Sequence, residues 1–459
     1  MGVKLSRSLQ EGPLPANGAS PLWWGELRSH HWQKFLQTPN PSRKNEDWRF
    51  ASVGKLAVDS FIASRQVENT DEILQLSKTG FETAGRVVFA NDQMLHHAPL
   101  SENLIKAGVI WETIEAAAEK HPELLQKHFM KQPVALGSQK YAALHGAFCR
   151  AGMLIYVPKG VEVKLPLAAF HWMEGEGTAV FPHTLLIAEA QSKVTVVDFL
   201  RSSGEGASFA CALNDIYAAP GSQVTYVASQ GWNEQTLNFL VNSISVDQDA
   251  SVRSLFANLG GSFSRLESKS SLHHSGARSE MLSLSLGDGT QEFDQRTLQL
   301  HEAPNTWSDL LYKNALDFHS KSIFKGLIRV DPGASKTDAY QSNRNLLLSG
   351  DAEADSMPGL EILNDDVRCT HGATTGQIQE EQLFYLLSRG IPEPMAKRLL
   401  AFGFFDDVLL RLGNEAIAGQ LRSEVEDKFS RSKDRQTSSL PGKVTEEDPT
   451  NLQMLQGTL

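Results

Sequence analysis

Between residues 190 and 252 one short phrase occurs three times: Ala190-Gln191-Ser192-Lys193-Val194, Pro220-Gly221-Ser222-Gln223-Val224 and Asp249-Ala250-Ser251-Val252. The copies recur at intervals near thirty residues, and each leads into a β-branched or aromatic run. A repeat of that length is the period of stacked rungs in a β-solenoid, in which each turn packs only on its neighbours. Small residues suit the corners, where the backbones of successive rungs approach closely. The same texture extends outward on both sides, through Met153–Pro158, Thr184–Ile187, Met281–Leu286, Ile323–Val330 and Arg344–Leu348. Pro332-Gly333-Ala334-Ser335-Lys336 reads as a further corner. A sandwich or a barrel would also give many short strands. The shared corner wording and the lack of helical spacers favour the β-helix.

The flanks read differently. Upstream, the apolar residues of Leu22–Leu36 recur at steps of a few residues, as on an amphipathic helix, and Pro39-Asn40-Pro41 ends it. The charged octet Arg43–Phe50 then encloses Trp48 and Phe50, and reads as a solvated turn anchored by its two aromatics. Asp71–Leu76 and Ile110–Phe129 read as helices, with Arg86–Ala90 between them as a strand. Downstream of Gly376 the period changes again. Glu380–Arg389 reads as a helix closed by Gly390 at its C′ position, and a second helix runs from Pro392 to about Leu412. The second carries Met395, Leu399, Phe402, Phe405, Val408 and Leu409, apolar around most of its circumference. It is therefore either sandwiched or waiting for a partner. The expected division is a mobile lead-in over 1–21, a mainly helical domain over 22–135, a β-helix core over 136–368, a helical domain over 369–426 and a disordered polar tail over 427–459.

Composition closes off several classes of function. The 459 residues carry a net charge of −11 without a long basic run, which argues against nucleic acid. No apolar stretch is long enough to span a bilayer, and no signal region follows the start, so a cytoplasmic protein is expected. Three cysteines, Cys149, Cys211 and Cys369, lie far apart and make no disulfide framework. Cys149 and Cys211, among Ala, Phe and Leu, read as small buried hydrophobes. There is no P-loop for ATP, no complete dinucleotide fingerprint and no nucleophile elbow. The adjacent pairs His30-His31, His96-His97 and His273-His274 are poor chelators as pairs; His273-His274 is the one that could face a solenoid interior.

One pair does carry chemistry. In Asp365-Asp366-Val367-Arg368-Cys369-Thr370-His371-Gly372, the period of a strand puts Cys369 and His371 on one face. Thiolate and imidazole are the softest metal-binding groups a chain has. Two donors are too few for a structural zinc site or a cluster, which usually take four, so the remaining donors must come from elsewhere. The alternative is a buried thiol beside a hydrogen-bonded imidazole. What favours metal is position, since the end of a β-array is an edge at which a second chain can pair.

Asp365–Gln377, together with Glu380-Glu381-Gln382-Leu383-Phe384-Tyr385-Leu386 and Ser388-Arg389-Gly390-Ile391, resembles the C-terminal signature of the SufB/SufD family of iron–sulfur cluster assembly scaffolds. Lys336–Ser349 matches a second family block, Tyr312-Lys313-Asn314 and Phe324-Lys325-Gly326 a third, and Lys44–Phe50 is similar to the opening motif of the SufD branch. Ser335 stands where members of the family often have Gln. With no cysteine before Cys149, the chain looks like the SufD branch and not like the sulfur-accepting SufB branch.

The resemblance implies a right-handed parallel β-helix between N- and C-terminal helical domains, and a non-catalytic subunit of a SufB–SufC–SufD complex. It implies a SufB partner bound through the β-helix and a SufC ATPase bound through the C-terminal helices, whose ATP-driven dimerisation opens the SufB–SufD interface. His371 would be an interface ligand to a nascent iron–sulfur cluster shared with SufB, with Cys369 beside it. Met395, Leu399, Phe402 and Phe405 would anchor SufC. No nucleotide, nucleic acid or membrane is expected on this chain, and a homodimer is compatible with it in isolation. Two alternatives remain open: a structural mate that stabilises SufB without ligating the cluster, and a β-helix polysaccharide lyase.

Overall fold

The computed structural model describes residues 7–13, 20–134 and 136–438. From Lys193 onward successive strands alternate between two parallel sheets, the defining feature of a solenoid. One sheet stacks Lys193–Ser203, Gln223–Gly231, Ser251–Asn258, Arg278–Gly287, Trp307–Leu316, Asp338–Leu347 and Arg368–Gln377. The other stacks Ser208–Ala218, Thr236–Val246, Phe263–Leu272, Glu292–His301, Lys321–Val330 and Glu353–Ile362. The fold is mainly β with helices at both ends of the chain, as the repeats and the resemblance predict.

The corner phrase has a backbone explanation. Gln191, Gly221, Asp249, Gly276, Asn305 and Lys336 all have positive φ, between 52° and 78°. Each of Gln191, Gly221, Asp249, Asn305 and Lys336 donates its N–H to a carbonyl one rung on, from Gln191 to Pro220 and so forth to Lys336 and Asp366. The next residue is small and buried in every case: Ser192, Ser222, Ala250, Ala277, Thr306 and Thr337. A left-handed residue followed by a small one thus turns each rung into its strand. The corner placed at Pro332–Lys336 therefore centres on Lys336-Thr337. Gly276-Ala277 and Asn305-Thr306 are further copies that their wording conceals. Close packing against backbone leaves no room for a side chain at Gly260, where a Cβ would lie 2.0 Å from the Trp232 carbonyl oxygen. Gly260→Ala is expected to destabilise by about 1–3 kcal/mol, read as a lower urea midpoint at unchanged m-value.

Helices cover part of each outer face of the solenoid. Tyr141, Leu144 and Phe148 of the helix Gln139–Phe148 pack on Phe209, Phe239 and Phe263. On the other sheet, Phe405, Val408 and Leu409 of the helix Glu393–Arg411 join Leu255, Leu282 and Leu311. The octet is an anchor in part: Trp48 is buried and donates to the Gly137 carbonyl at 3.0 Å, whereas Phe50 is exposed.

Several expectations are revised. Ile110–Phe129 is not one helix. Ile110–Thr113 is a strand antiparallel to Gly152–Val157, and the helices Ile114–Lys120 and Pro122–His128 follow. The alternating exposure of Ile110-Trp111-Glu112 suits a sheet better than a helix. Within the lead-in, Arg7–Ser8 pairs with Ile62–Ala63 and Leu9 is buried, so this part is fixed to the body; residues 1–6 and 14–19 lie outside the described residues. The last helix, Glu415–Ser438, runs past the expected start of the tail. Ile417, Leu421, Val425 and Phe429, four residues apart, give it an apolar stripe that its low overall hydrophobicity hides, and the Lys428 ammonium is buried against Gln291 Oε1 at 2.6 Å. Residues 439–459 of that tail lie outside the described residues. The solenoid also begins later than 136 and ends later than 368, since Gln139–Phe148 is helical and Arg368–Gln377 is its last strand. Among the described residues no helix is long and apolar enough to cross a membrane.

Burial of histidines sets the acid response. His31, His128 and His301 are held at about 4 and His171 at about 3, all by loss of hydration. Their unfolded value is ~6.5, so below it the unfolded chain binds more protons and stability falls as pH falls. Asp92 and Asp215, pushed up to about 7 by burial, and Asp198, pushed to about 6, work in the opposite direction over the same window. The histidines are more numerous, so the urea midpoint is expected to drop between about pH 6.5 and about pH 4.5.

Candidate functional site

The last turn of the solenoid is open. Arg368–Gln377 pairs only with Asp338–Leu347, and Glu353–Ile362 pairs only with Lys321–Val330, so each ends its sheet with one edge unpaired. Nothing among the described residues covers these edges with a strand. Such a double edge is a template for another chain.

Cys369 and His371 sit on that edge. Cys369 is in register with Ala339 and His371 with Gln341, both of which are buried. Alternation along the strand therefore turns Cys369 and His371 to the inward side, at the mouth of the solenoid. Cys369 is half-buried against Ile328, Val330, Ala334 and Ala339. This burial pushes its thiol pKa up, partly opposed by a hydrogen bond with the Ala339 backbone. A metal must displace a proton from it. His371, two residues along, is exposed. No set of three His, Cys, Asp or Glu donors within 4.8 Å of one another includes either residue, among the described residues. Beneath this mouth the interior is polar, with Gln299 donating to Ser308 at 2.7 Å, Asn314 to Asn345 at 2.8 Å and Asn345 to Thr375 at 3.2 Å.

The expected anchors on Glu393–Arg411 separate into two sets. Met395 and Leu399 are 44% and 46% exposed. Phe402 is partly buried and packs 5.9 Å from the Phe429 ring. Phe405 is fully enclosed in the core against the β-helix, so it holds the helix to the body and is withdrawn from any docking surface. The helix is thus sandwiched on one side and bare on the other. The sequence reading missed Phe384 and Tyr385, 71% and 57% exposed on Glu380–Ser388, a helix that buries none of its residues. Their signal was a Leu-Phe-Tyr-Leu-Leu run too apolar for a surface helix. Between the helices Glu393–Arg411 and Glu415–Ser438 and the solenoid lies a groove of about 710 Å³ lined by His319, Pro392, Met395, Arg398 and Phe429.

The remaining histidine pairs are placed as follows. His273 and His274 do not face the interior; they lie at a corner, against Glu302 and against Asp247 at 2.7 Å. Cys149 and Cys211 are buried as expected. The fold also brings together three residues that no spacing linked, His145, Cys149 and His183, all fully enclosed beneath the N-terminal helices.

Comparison with known proteins places the chain among relatives. A family model described as "SUF system FeS cluster assembly, SufBD core domain" matches residues 171–404, and one described as "SufBD protein N-terminal region" matches residues 19–168. The chain is 30% identical to the iron–sulfur cluster assembly protein SufD of Bacillus subtilis over 414 residues, covering 89% of this chain and 94% of the relative. It is 26% identical to SufB of the same organism over 399 residues, 85% of this chain and 82% of the relative. A SufBD family protein of Staphylococcus aureus (strain USA300) is 25% identical over 397 residues, 84% and 85% of the two chains.

Proposed function

Because the chain belongs to the SufB/SufD family of iron–sulfur cluster assembly proteins and is a SufD homologue, we propose that it is the non-catalytic SufD-like subunit of a cytoplasmic SufB–SufC–SufD assembly. In this reading the cluster is cargo, held at the seam between two chains. The observation that carries it is the placement of His371 and Cys369 on a terminal strand with one unpaired edge, with no third donor beside them among the described residues. A SufB-like partner adds strands to the open turn and supplies the missing ligands. A neutral imidazole and a thiolate suit iron, and each must be unprotonated to bind.

The second surface is the bare side of the C-terminal helices. Met395 and Leu399, with Phe384 and Tyr385, form the exposed apolar set that takes a SufC-like ATPase subunit. The ATPase supplies the nucleotide chemistry, and this chain the lever that couples it to the seam. Co-purification with a SufB-like chain and an ABC-type ATPase, with the mass of the complex determined, tests the assembly. Leu399→Asp is expected to lower ATPase retention by at least about tenfold, a cost of ~1.4 kcal/mol, while the SufB-like chain stays bound. Equal retention of the ATPase by the variant defeats this part of the reading.

A further inference from the structure

We propose that His145, His183 and Cys149 form a buried binding site for a single thiophilic divalent cation of the zinc class, distinct from the seam. His145 lies on the helix Gln139–Phe148, Cys149 follows that helix directly, and His183 opens the strand His183–Ala188. That strand belongs to the first turns of the solenoid, whereas Cys369 and His371 close its last. The donor atoms of the three residues lie within 4.8 Å of one another, and all three side chains are excluded from solvent. This site does not rest on the family reading.

With the Asp215 carboxylate ionised, the hydrogen bonds around the two imidazoles are not all satisfied. His145 Nδ1 lies 2.7 Å from the Cys211 carbonyl oxygen, which only accepts, so Nδ1 carries the proton and Nε2 presents a lone pair. His145 Nε2 is 3.0 Å from His183 Nδ1. If His183 answers with a proton on Nδ1, its Nε2 lone pair faces the Asp215 carboxylate at 3.7 Å, and Nε2 has no hydrogen-bond partner. If the proton sits on Nε2 to serve Asp215, two lone pairs meet at 3.0 Å instead. While Asp215 is ionised, either tautomer leaves two acceptors facing each other in a region without water's screening. A doubly protonated His183 would answer both neighbours, at the cost of a further charge in a side chain excluded from solvent.

A metal ion between the two rings removes the conflict. His145 Nε2 and His183 Nδ1 become ligands, His145 Nδ1 donates to the Cys211 carbonyl, and His183 Nε2 turns its proton toward Asp215, 3.7 Å away. That is the outer shell metal-bound histidines usually have, one imidazole fixed by a backbone carbonyl and the other by a carboxylate. Cys149 supplies the third donor; tetrahedral zinc geometry brings sulfur and nitrogen to about 3.5 Å apart, a closure of no more than about 1.3 Å from the 4.8 Å limit. On binding, the Cys149 S–H bond breaks, the sulfur–metal bond forms and the thiol proton leaves to solvent. The His183 proton passes from Nδ1 to Nε2. The dication, the thiolate and the Asp215 carboxylate then sum to zero, as burial requires. The three protein donors leave the fourth tetrahedral position open. A surface cavity of about 130 Å³, lined by His31, Met130, Gln132 and Asp215, reaches Asp215 from outside.

Cobalt(II) added to the chelator-stripped full chain under anaerobic conditions tests the site. The expected result is saturation at one equivalent, with a near-ultraviolet thiolate-to-cobalt charge-transfer band, intense tetrahedral d–d bands and displacement by zinc(II). Cys149→Ser, which keeps the side-chain volume, is expected to lose the charge-transfer band. Asp215→Asn is expected to keep the band but bind about 10–100-fold more weakly. The double variant Cys369→Ser/His371→Ala is expected to bind as the parent does. Absence of the band from the parent protein, or its survival in Cys149→Ser, overturns the proposal, as does its loss from the double variant. Should Cys149→Ser fail to fold, the Asp215→Asn titration decides: unchanged affinity overturns the proposal.

Discussion

His371→Ala is expected to abolish cluster formation on the reconstituted complex while the complex itself still assembles. His371 is exposed and packs in no core cluster, so its removal should change the stability of this chain by no more than about 0.5 kcal/mol. Any loss is then a loss of ligation. Where coordination is shared between two chains, the removal of one donor leaves the others an incomplete shell, and a fall of at least about tenfold in cluster yield is expected. The measurement is the absorbance and iron content of the complex after reconstitution, normalised to complex recovered by gel filtration. Cys369→Ala makes the useful contrast. Its side chain packs against Ile328, Val330, Ala334 and Ala339, so part of its effect should appear as lowered stability even without iron. Unchanged cluster yield in His371→Ala would leave this chain a structural mate of its partner.

The second large effect lies far from the seam, in a buried ion network. Arg265 is fully enclosed, and its guanidinium pairs with Asp294, with Glu267 at 2.8 Å, and with the carbonyls of Asp47 at 3.0 Å and Leu136 at 2.7 Å. It stacks 3.8 Å from the Trp48 ring, and Asp294 in turn holds Arg296 at 2.7 Å. Thus one side chain ties the charged octet near the front of the chain to two rungs of the β-helix. Asp294→Ala removes the carboxylate from both arginines and leaves their charges buried. A loss of about 3–5 kcal/mol is expected, seen as a fall in the urea midpoint. Neutralising Arg296 as well, in Arg296→Met/Asp294→Ala, should recover part of that loss, because that pair is then absent and not broken while Arg265 keeps Glu267.

The architecture was legible because its signal is periodic. Corners near thirty residues apart, each pairing a turn residue with a small one, are a physical requirement of stacking and show through in the letters even where Asn305-Thr306 differs from Pro220-Gly221-Ser222. Boundaries were less legible. Ile110–Thr113 is too short for its alternation to stand out from the helices behind it, and the last helix conceals its stripe among charges. The seam pair was legible because its two residues are neighbours on one strand. His145 and His183 are not, and only the packing of a helix on a sheet brings them together. Phe405 shows the remaining limit: an apolar helix announces that it buries surface, but not which side meets its own chain.

The open final rung has a consequence for choice of partner. Unpaired amides and carbonyls are the same in every polypeptide, so Arg368–Gln377 and Glu353–Ile362 offer a welcome to any extended strand of matching pitch, a duplicate of this chain included. Discrimination between a copy and a paralogue must then be written in exposed side chains such as Tyr340, Leu360 and Leu363, on or beside those strands. Affinity would be generic and identity local, and a few substitutions at those positions could redirect the chain from one mate to another.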